Sequence, residues 1–179
     1  MATTKWVLDP AHSEVYFKVK HLMITTVTGY FREFSATAQA EDDDFTTAKV
    51  HFEASAASID TNAPDRDTHL KTGDFFDVEK YPKITFRSTG LEKKDDNNFL
   101  LKGDLTIRDV TRPVTLEAEL GGVVNDPMGG RKAGFSIQGK INRKEWGLNW
   151  NATLETGGVL VSDEVRIFCE IQMSQQQES

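Results

Sequence analysis

The chain has 179 residues, 38% of them hydrophobic and 27% charged, with a formal net charge of −7 at pH 7. This length suits one domain over residues 1–179, and the composition excludes collagen-like, disordered and low-complexity chains. The negative charge opposes binding to phosphate backbones, and no apolar run approaches the roughly 20 residues of a transmembrane helix. We therefore expect no nucleic-acid partner and no stable membrane insertion.

Apolar and polar residues alternate along most of the chain, which is typical of half-buried β-strands. The alternating runs are, in chain order, residues 15–19, 28–40, 50–56, 84–86, 99–107, 114–120, 135–141 and 165–173. The turn-type clusters between several runs predict antiparallel neighbours, and eight such strands can close into a barrel. The second run changes phase partway along, which predicts a bulge near Arg32 and Glu33.

Residues 62–79 interrupt the alternation. Asn62 is the predicted cap of a short helix, and Asp74 is the predicted cap of a second short turn that holds Phe75 and Phe76. We therefore predict a short helical insertion in an otherwise all-β chain. It is expected either to close and line a pocket or to plug one end of the barrel with aromatic side chains.

The sequence lacks the common motifs of catalytic and metal sites. The glycine patterns of dinucleotide and phosphate sites, the HExxH zinc signature and the GxSxG nucleophile elbow are all absent. The four histidines have no spacing typical of metal ligands, and the acidic clusters lie in predicted turns. We therefore expect no metal, no cofactor and no catalytic residues.

The inward phase of the predicted strands mixes bulky apolar residues with very small ones. Such an interior either leaves room for a ligand or is filled by its own side chains, and the pattern leaves both possibilities open. The residues predicted to line a cavity are Phe17, Val19, Phe34, Ala36, Ala38, Phe52, Ala54, Phe75, Phe76, Phe86, Leu105, Ile107, Leu116, Ala118, Phe135, Ile137, Trp146 and Ile167.

Several motifs resemble those of one known family. The opening Trp6-Val7-Leu8-Asp9-Pro10-Ala11-His12-Ser13, followed by residues 17–21 and 27–31, closely resembles the YceI-like family of bacterial polyisoprenoid-binding proteins. Further similar stretches are residues 67–71, 74–78, 81–86, 103–108, 110–114 and 143–148. The resemblance therefore covers nearly the whole chain in order.

This resemblance implies an extended, eight-stranded, lipocalin-like antiparallel β-barrel that is commonly a homodimer. Its apolar cavity would hold a long-chain isoprenoid of polyprenyl or quinone type, or a related fatty lipid, as a carrier or store without catalysis. One alternative is an enzyme that acts on a lipid in the same cavity through His12, His69 or a buried carboxylate. Another is a filled barrel that acts as a dimeric interaction module.

Two expectations concern the start of the chain. His12 and Ser13 are expected either to meet a lipid head group or to fix the entry of the first strand. The opening residues contain no apolar stretch of the kind found in signal peptides. We therefore expect a cytoplasmic protein as the chain stands, and a periplasmic one if a signal peptide has been removed from it.

Overall fold

Alternating residues form antiparallel strands along most of the computed structural model, which describes residues 3–22, 24–151 and 161–176. The strands are β1 (Thr3–Leu8), β2 (Glu14–His21), β3 (Thr25–Phe31), β4 (Phe34–Glu41), β5 (Asp44–Ser55), β6 (Ile59–Asp60), β7 (Lys83–Lys93), β8 (Asn98–Ile107), β9 (Val110–Asn125), β10 (Arg131–Asn142) and β11 (Val161–Gln175). The described residues also form helix α1 (Pro64–Leu70) and 3₁₀ turns at Pro10–His12, Ala56–Ser58 and Arg143–Trp146. None of these helical segments is long and apolar enough to cross a membrane.

Eight strands close the barrel in the order β1-β4-β5-β7-β8-β9-β10-β11, and β11 pairs back with β1. Every neighbouring pair in this ring is antiparallel, which confirms the predicted eight-stranded antiparallel barrel. The remaining strands β2, β3 and β6 continue the sheet from the other part of β11. The barrel is therefore longer on this side than its closed ring alone.

The first long strand is bent between β1 and β2. Both halves pair with β11, where Leu8 opposes Met173 and Glu14 opposes Glu170. The bend is held by Ser13, whose hydroxyl donates to the carbonyl of Asp9 at 2.7 Å and accepts from a backbone N–H of β11 at 3.0 Å. Ser13 therefore fixes the entry of the second half of this strand.

The second long strand is interrupted between β3 and β4, at the place where the phase of the sequence changes. The N–H of Arg32 donates to the carbonyl of Ser58 at 3.1 Å, and the carbonyl of Glu33 accepts from the N–H of Ser55 at 2.9 Å. The prediction located the change correctly, but the strand breaks there and does not form a bulge. The break lets apolar side chains of both halves face the interior.

The predicted cap of α1 is wrong. The N-cap residue is Ala63, and Asn62 lies before it with a φ of 64°, in the left-handed region. The carboxylate of Asp67 in the first turn accepts from the N–H of Thr61 at 2.9 Å. A side chain of the helix itself therefore holds the backbone that precedes the helix. Acidic side chains near a helix N-terminus are favourable because they face its unpaired N–H groups.

The second predicted turn also differs from expectation. The chain passes through turns after α1, and Asp74 caps no further helix. Its carboxylate instead lies 2.9 Å from Nε2 of His69. The insertion is therefore one short helix followed by turns. It packs Phe75 at one end of the barrel. At that end β8 turns into β9, and β10 leads into the turn Arg143–Trp146. We call this the helix end, and the end with the β4–β5 and β9–β10 turns the hairpin end.

Candidate functional site: an apolar cavity in the barrel

The inward side chains of the barrel line a cavity of about 270 Å³. Its lining begins at the hairpin end with Trp6 and Phe45 and reaches Leu70, Phe75 and Phe76 at the helix end. The exposed lining is entirely apolar. The interior therefore contains unfilled space, which decides between the two possibilities that the sequence pattern left open.

Most residues that were predicted to line the cavity do lie in its wall. They are Phe17, Val19, Ala36, Ala38, Phe52, Ala54, Phe75, Phe76, Phe86, Leu105, Ile107, Leu116, Ala118, Phe135, Ile137 and Ile167. The structure brings them together from strands that are far apart in sequence, because the inward side chains of a closed barrel all point at one axis. Their contact with a ligand is part of the function proposed below.

Phe34 and Trp146 lie outside the lining, contrary to prediction. Phe34 stacks on Phe52 with ring centroids 6.5 Å apart and packs against the core. Trp146 sits in a 3₁₀ turn beside the barrel, only 1% exposed, and its indole N–H donates to the carbonyl of Leu105 at 2.9 Å. Alternation does not apply in a turn, so the period-two pattern carried no information about where this indole points.

The sequence reasoning missed lining residues at the hairpin end of the cavity. Phe45 and Ala48 are both buried although their numbers differ by three, a spacing that puts residues on opposite faces of a regular strand. The cause is the irregular β4–β5 pairing near its turn. Such a change of phase hides a strand from a period-two search. Trp6 also lines the cavity and alternates with more exposed neighbours, so this signal was present in a run too short to stand out.

Arg143 organises the backbone at the helix end. Its buried guanidinium donates to the carbonyl oxygens of Ser162 at 3.0 Å, Trp150 at 2.9 Å and Leu148. Burial lowers the pKa of this guanidinium, and the nearby carboxylate of Asp163 acts in the opposite direction. The donors of Arg143 are directed at backbone carbonyls, so its role is to tie the chain after β10 to the start of β11.

Aromatic rings cover the same end. The ring of His69 meets Trp150 edge-on at 4.7 Å and Phe75 at 5.3 Å between centroids. Phe75 and Phe76 line the cavity, whereas His69 is partly exposed and pairs with Asp74 outside it. The insertion therefore lines this end of the cavity with Phe75 and Phe76.

In the described part of the chain, the two histidines considered for an enzyme, His12 and His69, lie outside this cavity. The side chain of His12 is 64% exposed and its Nδ1 lies 2.8 Å from Asp9, on the outside of the barrel. The exposed lining contains no polar atom, and the described residues include no group of three or more His, Cys, Asp or Glu that could hold a metal. The arrangement is suited to enclosing an apolar molecule.

Cys169 is the one thiol in the cavity wall. Its exposure is intermediate, and burial raises the pKa of the thiol to about 12, with the carboxylate of Glu170 acting in the same direction. A thiol with this pKa is protonated at neutral pH and is a poor nucleophile. Cys169 therefore behaves as a small apolar lining residue.

An antiparallel barrel whose cavity has an entirely apolar exposed lining belongs to the class of lipocalin-like barrels. The sequence profile of the YceI-like domain matches residues 6–173, and the chain belongs to the YceI-like family. A UPF0312 protein of Staphylococcus epidermidis is 38% identical over 172 residues, which are 96% of this chain and 98% of that protein.

Solved structures show the same fold. The YceI protein of Campylobacter jejuni is 34% identical with a TM-score of 0.76, and the match covers 95% of this chain and 96% of that one. A polyisoprenoid binding domain from Saccharophagus degradans is 13% identical with a TM-score of 0.68, and the match covers 96% and 98% of the two chains. These relatives are bacterial, and the second comparison concerns the fold alone.

Proposed function

We propose that this protein binds a long-chain isoprenoid or related amphiphilic lipid, of polyprenyl or quinone type, as a carrier or store without catalysis. The observation that carries the proposal is the cavity inside the barrel with its entirely apolar exposed lining. Membership of the YceI-like family supports it, as does the fold shared with a polyisoprenoid binding domain.

The physical basis is burial of apolar surface. A prenyl chain offers many carbon atoms and few hydrogen-bonding groups, so its affinity comes from apolar area removed from water, at roughly 25 cal/mol per Å². A wall of aromatic and aliphatic side chains supplies that area without any polar motif. The cavity of about 270 Å³ lies just below the range of about 300–1,000 Å³ for ligand pockets. We expect a lipid chain too large for this volume to displace lining side chains such as Phe76.

The test is a titration of the protein with a prenyl quinone, in which binding is monitored by tryptophan fluorescence. Trp6 lines the cavity, so a bound quinone should quench its emission and saturate at one lipid per chain. The matched control is the quinone head group without its prenyl tail, which should leave emission unchanged at the same concentrations. Equal quenching by both compounds, or no saturable quenching, would contradict the proposal.

We also propose that two copies of the chain pair through the outer face of β10, β11, β2 and β3. Cross-strand register arranges the outward side chains of these strands in three rows. The cationic row is Lys140, Arg166 and Lys18; the aromatic row is Phe168, Tyr16 and Tyr30; the acidic row is Glu170 and Glu14. Glu164 lies 3.6 Å from Arg166 and neutralises part of the cationic row.

The aromatic row is continuous. Tyr16 stacks on Phe168 at 5.2 Å and contacts Tyr30 at 5.4 Å between ring centroids. A two-fold axis along this row would place each aromatic row on its copy and each cationic row on the acidic row of the other chain. Such a self-complementary patch is what a two-fold interface requires. Aromatic residues are also enriched at protein interfaces.

Charge reversal tests this pairing by sedimentation. Lys18→Glu with Arg166→Glu makes the face predominantly acidic, with Lys140 the cation left in its row. Glu14→Lys with Glu170→Lys makes it predominantly basic, with Glu164 left beside Arg166. Each double variant alone should be monomeric because like charges then oppose each other, whereas an equal mixture should form heterodimers. Dimers of either variant alone, or a mixture that stays monomeric, would contradict the proposed interface.

A further inference from the structure

Two bulky lining side chains lie flat against the barrel wall because they pass over glycines. Phe17 on β2 opposes Gly29 on β3, and a Cβ atom placed at Gly29 would lie 2.3 Å from Cζ of Phe17 and 2.6 Å from its Cε1. A Cβ atom at Gly139 on β10 would lie 2.3 Å from Cδ2 of Leu116 on β9. Real Cβ contacts are not this short, so any larger residue at either glycine must displace the side chain above it.

The displaced side chains have one open direction. The ring of Phe17 already packs against Phe31 at 5.8 Å between centroids, and both rings line the cavity. The barrel wall lies behind the ring and Phe31 lies beside it, so the remaining space is the cavity. Leu116 is also a lining residue, and moving its Cδ2 away from β10 takes it toward the same space. A single methyl group at Gly29 or Gly139 would therefore push the side chain above it into the cavity and narrow it.

A third glycine does not share this role. A Cβ atom at Gly103 would lie 2.5 Å from Cζ of Phe86 but also 2.5 Å from the backbone carbonyl oxygen of Arg87. A backbone atom in a sheet cannot move aside as a flexible side chain can, so Gly103 is needed for the sheet itself. By contrast, nothing lies within 4 Å of a Cβ atom at Gly134, which shares β10 with Gly139. Gly134 therefore provides a matched control.

We infer that Gly29 and Gly139 set the width of the cavity and so determine which kind of lipid chain it accepts. This inference rests on the function proposed above. A prenyl chain carries regularly spaced methyl branches and is wider than an unbranched acyl chain of the same length. Glycines that let Phe17 and Leu116 lie against the wall provide the extra width. The chemical class that this favours is methyl-branched apolar chains.

The test compares hexahydrofarnesol with dodecanol, which share one main chain and differ in their methyl branches. We expect Gly29→Ala and Gly139→Ala each to weaken hexahydrofarnesol binding at least about tenfold, or 1.4 kcal/mol. The affinity for dodecanol should change less than about threefold, which corresponds to a free-energy change under about 1 kcal/mol. The Gly134→Ala variant should bind both alcohols with the affinity of the original chain. An equal loss for both ligands, or no loss for either, would overturn the inference.

A rescue variant separates cavity width from damage to the fold. Phe17→Leu removes the ring atoms that meet a Cβ at Gly29, so Gly29→Ala with Phe17→Leu should regain both thermal stability and hexahydrofarnesol binding. A double variant as impaired as Gly29→Ala alone would show that Gly29 serves the backbone, and the inference would fail. If the original chain binds neither alcohol, the proposed lipid-binding function fails and takes this inference with it. If it binds both, the variants test the inference alone.

Discussion

Two alanines in the cavity wall provide a matched test of where the free space lies. Ala38 lines the cavity and is partly exposed, and its neighbours across β1 and β5 are Trp6 and Val50. Ala118 also lines the cavity but is only 3% exposed, held between Phe99 and other residues of adjacent strands. A phenylalanine at Ala38 can extend into the cavity, whereas one at Ala118 must displace packed neighbours.

The expected magnitudes differ accordingly. Overpacking a filled position costs about 1–3 kcal/mol, and each kcal/mol lowers Tm by roughly 2–4 °C in a domain of this size. Ala118→Phe should therefore lose about 2–12 °C in melting temperature, by combining these two ranges. Ala38→Phe should keep its Tm within about 2 °C, which is less than 1 kcal/mol by the same conversion. It should nevertheless bind prenyl lipid at least about tenfold more weakly, a change of 1.4 kcal/mol.

The assay combines calorimetric unfolding with titration of a prenyl quinone, on both variants and the original chain. Unchanged lipid binding in a stable Ala38→Phe variant would show that ligand does not occupy the space beside Trp6. Equal destabilisation of the two variants would show that the interior beside Ala38 is already filled. Either result would refute the placement of the cavity relative to these two residues.

Further predictions concern the thiol, the buried guanidinium and one surface ion pair. Cys169 should be alkylated by an uncharged maleimide much more slowly than an exposed cysteine at pH 8, because its pKa is about 12, and bound lipid should slow the reaction further. Arg143→Met should lower the free energy of unfolding in urea by about 3–5 kcal/mol, because it leaves buried carbonyl oxygens without donors, and a loss under about 1 kcal/mol would contradict the role assigned to this guanidinium. Hydrogen bonding to Arg131 lowers the pKa of Asp43 below 3.8, so this pair stabilises the fold above that pH and its contribution is lost as pH falls through the lower, folded-state pKa. Asp43→Asn should thus be less stable than the original chain at pH 7 but not in strong acid, and a deficit independent of pH would contradict this assignment.

The barrel could be predicted from the sequence because its strands carry a strong period-two signal. One side of each strand faces an apolar interior, so alternation reports both the strand and the direction of each side chain. The phase change near Arg32 was detected for the same reason. For strands such as β10, with Phe135 and Ile137 inward, this was sufficient to assign the lining.

The rest depended on contacts that alternation does not report. Trp146 lies in a turn, and Phe45 lies before an irregularity in the β4–β5 pairing. The aromatic row on the outer face was also missed, because Tyr16 occupies the phase of Lys18 and was grouped with the polar side. The start of α1 was misassigned because Asn62 is a common capping residue, whereas here the carboxylate that binds the preceding backbone comes from Asp67.

The proposed binding of a prenyl lipid in the barrel is tested most directly by mass spectrometry of the protein purified without detergent. Native spectra and an organic extract of the same sample would identify any lipid and its stoichiometry. We predict one long-chain isoprenoid per chain, absent from Ala38→Phe prepared in parallel. A lipid-free protein that also fails to take up added polyprenyl or quinone lipids would contradict the proposal.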